Sequence, residues 1–368
     1  MIYFILFLYE AIICYVYDKK QYNHKKTAEF SHYKLRISIK KGLISLAIIV
    51  PLWFVMGLRY YIGTDYVTYE RMFKSITTYH RNRYHTELGY YSLNRFAGLI
   101  TKNPQIIFFM VAFLIIFFLF KGIEKNDGSM YYGVLACMGL AYYFYAMNIQ
   151  RQYIAIMIML YAFYFLEQKR LKEYAIFVVI AMSFHMSAII WIPVYFMINY
   201  IPTKVFYIGT LIGAILINRF SALVLRLLVN IDFYSGQIMN NRRFFQENFQ
   251  WTKVLIFGAI LFCRILFQNR EPEEMEKIDL KYKSVWLAFL IYSFLYIYGS
   301  AGARIAMYLS ITCLLIIPEI IGCFDARATK WLRVLTTLVL IVSMYIMITS
   351  EGNIIHSYLP YRYRMLWE

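Results

Sequence analysis

The chain has 368 residues, of which 61% are hydrophobic and only 16% charged, and its formal net charge is +17. Soluble domains are about half apolar and about a quarter charged, so this composition excludes an ordinary soluble domain. The positive charge does not indicate nucleic-acid binding, because basic residues of membrane proteins collect in cytoplasmic loops. We therefore expect the lipid bilayer, and no nucleic acid, around this chain.

Apolar stretches of about 20 residues, long enough to span a bilayer as helices, recur along the chain. They predict an all-α, polytopic membrane bundle of about 10–12 transmembrane helices, forming one domain over residues 1–368. The predicted helices cover about residues 1–17, 42–58, 104–120, 130–147, 152–166, 174–198, 251–267, 284–300, 305–322 and 333–349.

The first predicted loop, residues 18–41, is the most basic segment of the chain. The positive-inside rule therefore places it in the cytoplasm. The next helix then leads outward, so residues 59–103 form an outer loop, in which short amphipathic helices lie on the surface. These outer loops and helices are expected to form a site at the extracytoplasmic face.

Residues 204–230 are apolar but interrupted by Asn218, Arg219 and Arg226. One spanning helix here would invert every later loop, whereas two half-helices or one outer-surface helix keep those loops consistent with the charge rule. Non-spanning backbone at membrane depth must be buried in protein or line a wet cavity. We expect the non-spanning arrangement, with residues 231–250 as a second outer loop.

The polar stretch after the second predicted helix, residues 57–70, reads GLRYYIGTDYVTYE. It places Arg59 and Asp65 at the outer membrane edge, together with four tyrosines. An arginine at a helix end can simply snorkel to headgroups, and an aspartate in a turn commonly bonds its own backbone. The two together favour a polar site.

Other ionisable residues interrupt apolar stretches. Arg151, followed by Gln152, stands between two predicted helices, where its guanidinium would point along the mouth of the bundle. His185 lies within a predicted membrane helix, and an ionisable residue there is a functional hypothesis by default. The structural alternative is a neutral histidine bonded to Ser187 or to a neighbouring helix. Glu87 is a weaker candidate.

Arginine and lysine are distributed differently in the predicted topology. Most lysines fall in cytoplasmic loops and most arginines outside, including Arg304, which shares a helix face with Tyr308. Orientation needs either residue, whereas arginine suits bidentate contact with phosphate or carboxylate. The outer arginines therefore indicate an anionic ligand. His185 has no second ligand at helical spacing and Asp65 no second carboxylate in its turn, so we expect no metal.

Five motifs occur in order along the chain, namely RYYIGTDYVTY, ELGYYSL, NIQRQYIA, SFHMSAIIWIPVYF and ARIAMYLS. Over nearly its full length the chain resembles the EpsG family of bacterial exopolysaccharide proteins, a branch of the Wzy-like polysaccharide polymerases. The GTD turn and the H-x-S-A helix are the most specific parts of this resemblance.

The resemblance implies a multi-pass protein of the bacterial cytoplasmic membrane, acting at its outer face on undecaprenyl-diphosphate-linked oligosaccharide. It implies a glycosyltransferase that moves a growing glycan onto the non-reducing end of a lipid-linked repeat unit, usually with inversion. Neither a nucleotide sugar nor a metal or other cofactor is implied. A flippase and a chain-length regulator are the implied partner proteins.

This chemistry suggests roles for the candidate residues. Arg59, Arg151 and Arg304 would neutralise the charge that develops on the diphosphate. An acceptor hydroxyl needs a base within hydrogen-bond reach, for which Asp65 is the first choice and His185 the second. The remaining predicted substrate contacts are Tyr60, Tyr61, Tyr66, Tyr69, Gln152, Tyr308 and Glu87.

Two alternatives from other classes stay open. A transporter or flippase of the same oligosaccharide would show an internal repeat and charges spread through the membrane, whereas here no repeat is visible and the charges gather at one face. The helix that contains His185 would suit a membrane acyltransferase. A lipid-dependent glycosyltransferase of single sugars would suit an acidic first outer loop.

Overall fold

In a computed structural model, the chain is described over residues 1–27, 34–79, 86–221, 223, 250–267, 270–349 and 358–367. Within these ranges it contains sixteen α-helices, short 3₁₀ segments and no strand, which confirms the predicted all-α class. One isolated antiparallel bridge in the described part pairs Arg59 with Tyr363.

The chain divides into two compact units. The first comprises Met1–Tyr164, Lys172–Ile189 and Phe324–Glu368, and the second comprises Phe165–Leu171 and Ile190–Cys323. The single domain expected from the sequence stays a prediction.

The helices have the following bounds in chain order: α1 Ile2–Thr27, α2 Lys34–Gly57, α3 Tyr66–Thr77, α4 Leu88–Ile100, α5 Gln105–Lys125, α6 Met130–Gly139, α7 Tyr142–Asn148, α8 Gln150–Glu167, α9 Leu171–Phe184, α10 Trp191–Tyr200, α11 Thr203–Arg219, α12 Trp251–Phe262, α13 Pro272–Phe294, α14 Gly299–Ser310, α15 Cys313–Ile321 and α16 Ala326–Thr349. The 3₁₀ segments are Met186–Ile190, Cys263–Phe267 and Tyr296–Tyr298. Helices α1–α9 and α16 belong mainly to the first unit, and α10–α15 to the second.

Side-chain contacts fix the helices of the first unit to one another. Trp53 of α2 packs on Phe109 of α5, with ring centroids 4.4 Å apart, and its indole N–H donates to the Phe109 carbonyl at 2.8 Å. Asp18 of α1 accepts from the backbone N–H groups of Met130 and Tyr131 at 3.0 and 3.1 Å. This carboxylate satisfies donors that the start of α6 would otherwise leave unpaired.

Five helices predicted as continuous are interrupted in the structure. Two of them, 251–267 and 284–300, contain the 3₁₀ segments Cys263–Phe267 and Tyr296–Tyr298. The predicted helix 130–147 separates into α6 and α7 at Ala141, whose φ is +65°. The predicted helix 174–198 breaks at His185, and 305–322 bends by 43° between α14 and α15. Because both sides of each break are apolar, hydropathy alone does not reveal it.

The predicted loops also differ in detail. Helix α1 continues to Thr27 and α2 begins at Lys34, so both ends of the predicted basic loop 18–41 are helical, as lysine favours. The described part of the outer loop 59–103 contains α3 and α4. Helix α11 is continuous as far as Arg219, while most of 231–250 lies outside the described residues.

Among the described residues, α5 and α16 are long and apolar enough to cross a membrane, and the bent pair α14–α15 is a third candidate. Shorter apolar helices cover Lys41–Gly57, Met130–Gly139 and Met186–Tyr200. The structure is consistent with a helical membrane bundle, and the total of ten to twelve spans stays a prediction.

Candidate functional site

Three ionisable side chains meet where α4, α8 and the break after α9 come together. Glu87 Oε2 accepts from Arg151 Nη1 at 2.6 Å, and Glu87 Oε1 lies 3.2 Å from His185 Nδ1. The three side chains retain about one fifth of their exposure, 17% for Glu87, 21% for Arg151 and 20% for His185. We call Glu87, Arg151 and His185 the ionic cluster.

The break in the helix places His185 in this cluster. Its backbone N–H still donates to the Ala181 carbonyl at 3.0 Å, but the next residue, Met186, begins a 3₁₀ segment. The Met186 N–H donates instead to Glu87 Oε1 at 3.3 Å. The predicted position of His185 inside a continuous helix is therefore wrong. The helix can break here because the carboxylate of Glu87 accepts a hydrogen bond from a backbone N–H that the break leaves unpaired.

A glycine allows α4 to approach the end of α9. A Cβ atom on Gly89 would clash with Ser183 Oγ and lie 2.8 Å from the Ser183 carbonyl oxygen. Any larger residue would therefore displace backbone as well as side chain. This close packing sets the distance between Glu87 and His185.

The charge state of Glu87 decides what it can do. Burial raises the pKa of its carboxyl, but the hydrogen bond with His185 and the charge of Arg151 outweigh burial and lower the pKa to about 2. Glu87 is therefore an anion at neutral pH. So acidic a group is a weak general base, and its contacts indicate that it orients its two neighbours.

Arg59 lies in a different environment. It is 1% exposed, and it donates to the carbonyl oxygens of Met56 at 2.7 Å and Met147 at 3.0 Å and to Gln150 Oε1 at 2.9 Å. Its guanidinium carbon also lies 4.9 Å from the Phe108 ring centroid. Arg59 thus stabilises the end of α2, and a direct contact with substrate stays a prediction that this geometry does not favour.

The GTD turn packs on the end of α7. Gly63 has φ +93°, and a Cβ there would lie 3.0 Å from the Met147 carbonyl oxygen. Asn148 Oδ1 accepts from Thr64 Oγ1 at 2.8 Å and from the Asp65 N–H at 3.0 Å. Asp65 is half-buried directly before α3, and its side chain makes no capping bond to that helix.

One glutamine joins Arg59 to the ionic cluster. Gln150 Oε1 accepts from Arg59, and its Nε2 donates to the Tyr90 hydroxyl at 2.8 Å. The Arg151 guanidinium carbon lies 5.8 Å from the centroid of the same Tyr90 ring. The structure therefore brings Arg59 and Arg151 into one network, as residues of α8 and its neighbours.

The four predicted tyrosines are not equivalent. Tyr66 is buried, stacks on Phe108 at 4.2 Å and donates to Gln105 Oε1 at 3.1 Å. Tyr69 is buried as well, whereas Tyr61 is 44% exposed and Tyr60 half-buried. Only the latter pair presents ring surface, so the sugar contacts predicted for Tyr66 and Tyr69 are not favoured.

Three further predicted contacts are buried or belong to the second unit. Gln152 is buried in α8. Arg304 and Tyr308 belong to α14 of the second unit, where Arg304 is half-buried and Tyr308 fully buried. A buried tyrosine contributes to packing here, and the substrate roles of all three stay predictions.

Residues 358–367, which we call the strap, include the terminal YLPYRYR, a weaker candidate from the sequence, and they pair with residues 58–60, which was not predicted. The Tyr60 N–H donates to the Arg362 carbonyl and the Arg364 N–H to the Leu58 carbonyl, both at 2.9 Å. These bonds flank the bridge at Tyr363. The repeated tyrosine–arginine pattern of the strap was a sequence signal, but its partner lies about three hundred residues away.

A metal site is a separate question. Within the described ranges, no group of three His, Cys, Asp or Glu side chains is placed to hold a metal ion. The expected absence of a metal stays a prediction.

The apolar helices and the ionic cluster define a helical membrane protein with a polar site at helix ends. The chain belongs to the EpsG family, whose family model matches residues 42–363. Members of this family are Wzy-like polymerases, so the chain is a polysaccharide-polymerase-like membrane protein. Neither curated proteins nor solved structures gave a match.

Proposed function

We propose that the protein transfers a growing glycan from undecaprenyl diphosphate onto the non-reducing end of a lipid-linked repeat unit. The reaction takes place at the outer face of the bacterial cytoplasmic membrane, in which the protein is a multi-pass enzyme. It proceeds with inversion and needs neither a metal nor a nucleotide sugar. A flippase supplies the substrate, and a chain-length regulator limits the product.

One observation carries this proposal, namely that Glu87 bridges a guanidinium and an imidazole in a partly exposed cluster. In a chain of the EpsG family, this combination supports glycosyl transfer from a diphosphate. Arginine suits the phosphate oxygens, and histidine is the side chain that exchanges protons near neutral pH.

The chemistry assigns each bond and proton. The bond between the sugar C1 and the diphosphate oxygen breaks, and the diphosphate leaves with the electron pair. A bond forms between C1 and the acceptor oxygen, whose proton passes to a base. Arg151 stabilises the negative charge that grows on the diphosphate.

His185 is the base that the geometry favours. Glu87 accepts a hydrogen bond from the Nδ1–H group, which leaves Nε2 to accept the proton of the acceptor hydroxyl. Asp65 is the other candidate, since it is half-buried beside the same network through Asn148. The two assignments differ in which substitution abolishes transfer.

The test incubates purified protein with lipid-linked repeat unit alone and resolves the products by size. A ladder without added nucleotide sugar or acyl donor supports the polymerase. Movement of the lipid between leaflets with no ladder would indicate a flippase. A product only with an acyl donor, or one added sugar only with a nucleotide sugar, would indicate the other enzymes.

Two variants then locate the base. His185→Gln should abolish the ladder while the protein still inserts in the membrane, and Asp65→Asn should retain it. The reverse result would transfer the role of base to Asp65. A normal ladder from both variants would remove both residues from the chemistry.

A further inference from the structure

The strap is anchored by side chains as well as by its backbone. Tyr361 Oη donates to the Val55 carbonyl at 2.9 Å, and Asn103 Nδ2 donates to the Leu366 carbonyl at 3.1 Å. Because these bonds lie on both sides of the pairing with Leu58 and Tyr60, the residues between them have defined positions.

Two arginines of the strap lie in this anchored part. The Arg364 guanidinium carbon is 5.4 Å from the Tyr60 ring centroid, so the ring holds its plane. Arg362 is exposed. In extended backbone, residues two apart lie on the same side, about 6–7 Å from each other. This spacing suits two guanidiniums that grip one diphosphate, each by parallel N–H donors.

Aromatic surface accompanies these two charges. Tyr61 is 44% exposed and lies edge-on to Tyr60, with ring centroids 4.5 Å apart. Tyr61 has φ +50°, which is an outlier for a bulky residue. The backbone thus presents an exposed ring beside two cations, and the C–H face of a sugar packs on such a ring.

We propose that the strap, with Tyr60 and Tyr61, forms a second substrate subsite that binds the diphosphate and adjoining sugar of the acceptor. This inference rests on the proposed function, since the proposed polymerase, unlike a flippase or an acyltransferase, holds two lipid-linked glycans at once. The acceptor reacts at its non-reducing end, so its own diphosphate lies one repeat unit away from the reacting atoms. A second group that binds an anion, apart from Arg151, is therefore required.

Arg59 connects the two subsites. Its backbone pairs with the strap at Tyr363, while its guanidinium bonds Gln150, the residue before Arg151. The buried Arg59 thus contacts the strap through its backbone and reaches toward the ionic cluster through its guanidinium. Donor and acceptor diphosphates would occupy opposite sides of Arg59.

The test measures binding of farnesyl diphosphate to the full chain in neutral-lipid nanodiscs. It uses an Arg151→Gln background, in which the donor contact is weakened and the strap contributes most of the affinity. Adding Arg362→Gln and Arg364→Gln should lower this affinity about tenfold or more, because each lost charge-assisted contact is worth about that factor. Arg71→Gln, an exposed arginine of α3, is the matched control and should leave the affinity unchanged.

A second arm separates the diphosphate from a lipid headgroup. With phosphatidylglycerol in the nanodiscs, a diphosphate subsite keeps its strap-dependent affinity, whereas a headgroup site loses it. Either that loss, or an affinity that stays unchanged when Arg362→Gln and Arg364→Gln are added, would overturn the proposal. The unfolding temperatures of all variants are compared, to show that each variant is folded. The variant Tyr61→Leu leaves both arginines in place, so it should weaken binding of a glycosylated probe but not of farnesyl diphosphate.

The outcomes distinguish this subsite from the proposed reaction. Wild-type protein that forms no ladder but shows strap-dependent binding would contradict the polymerase and leave the diphosphate site intact. A ladder from wild-type protein, combined with no effect of the strap arginines on binding, would contradict the subsite and leave the polymerase intact.

Discussion

Arg59 and Arg151 look alike in the sequence, as single arginines at the edges of apolar helices, but their surroundings differ. Arg59 is fully enclosed and donates to carbonyl and amide oxygens. Arg151 is partly exposed and pairs with the carboxylate of Glu87. Exposure and the type of partner therefore distinguish an arginine that supports the fold from one that can meet a ligand.

The largest effect on stability is expected at Arg59. Alanine there leaves the Met56 and Met147 carbonyl oxygens and the Gln150 amide without their donor, at about 1–3 kcal/mol for each buried group. The unfolding temperature in detergent should fall more than for any other variant discussed here. An unchanged unfolding temperature, combined with lost activity, would mean that Arg59 binds a ligand and does not support the fold.

Arg151→Gln should show the opposite pattern. Loss of one preorganised donor to a developing charge costs about 10²–10³-fold in rate, so ladder formation should slow by that factor. Stability should fall by about 1–2 kcal/mol, less than for Arg59→Ala, because Glu87 loses one charged partner but keeps its bond with His185. Arg71→Gln is the control of equal charge change. A wild-type rate in Arg151→Gln would break the comparison.

The pH dependence of stability tests the ionic cluster itself. The pKa of Glu87 is lowered from its ordinary 4.5 to about 2. Its contribution is therefore fully present above pH 4.5, on the order of 3 kcal/mol, and is lost as the pH falls toward 2. Thermal unfolding from pH 6 to 3 should show the wild type approaching Glu87→Gln as acidity increases. Parallel curves for the two proteins would contradict the bridging role.

The smallest effect is expected at the GTD turn. Gly63→Ala places a methyl group 3.0 Å from the Met147 oxygen that Arg59 also contacts, in a backbone region that disfavours side chains. We expect a loss of about 1–2 kcal/mol in unfolding free energy. Gly209→Ala is the matched control, since nothing lies within 4 Å of its added Cβ. Equal stability of both variants would mean that the turn does not support Arg59.

Much of the outline could be predicted from residue types alone. Charged residues are conspicuous in an apolar chain, which is why the sequence indicates Arg151 and His185, and apolar stretches of membrane length predict the all-α class. Pairing could not be predicted, because Glu87 and His185 are 98 positions apart in the sequence. Glu87 is a weaker candidate from the sequence, yet it is the centre of the cluster.

The helix breaks and the backbone pairing of the strap were missed for a related reason. A break at His185 leaves apolar residues on both sides, so hydropathy continues smoothly across it. What permits the break is a carboxylate from a different helix. The strap likewise depends on backbone pairing with Leu58 and Tyr60, and backbone pairing over such a separation leaves no local pattern in the sequence.

The missing side chain of Gly89 has a consequence for any attempt to redesign this enzyme. Because Gly89 has no side chain, α4 packs directly on the end of α9, and this packing sets the distance between the Glu87 carboxylate and the His185 imidazole. An added methyl group would force α4 and the end of α9 apart and separate His185 from Glu87, although no charged residue had been altered. A compensating change would have to come from Ser183, so these two positions form one unit for engineering.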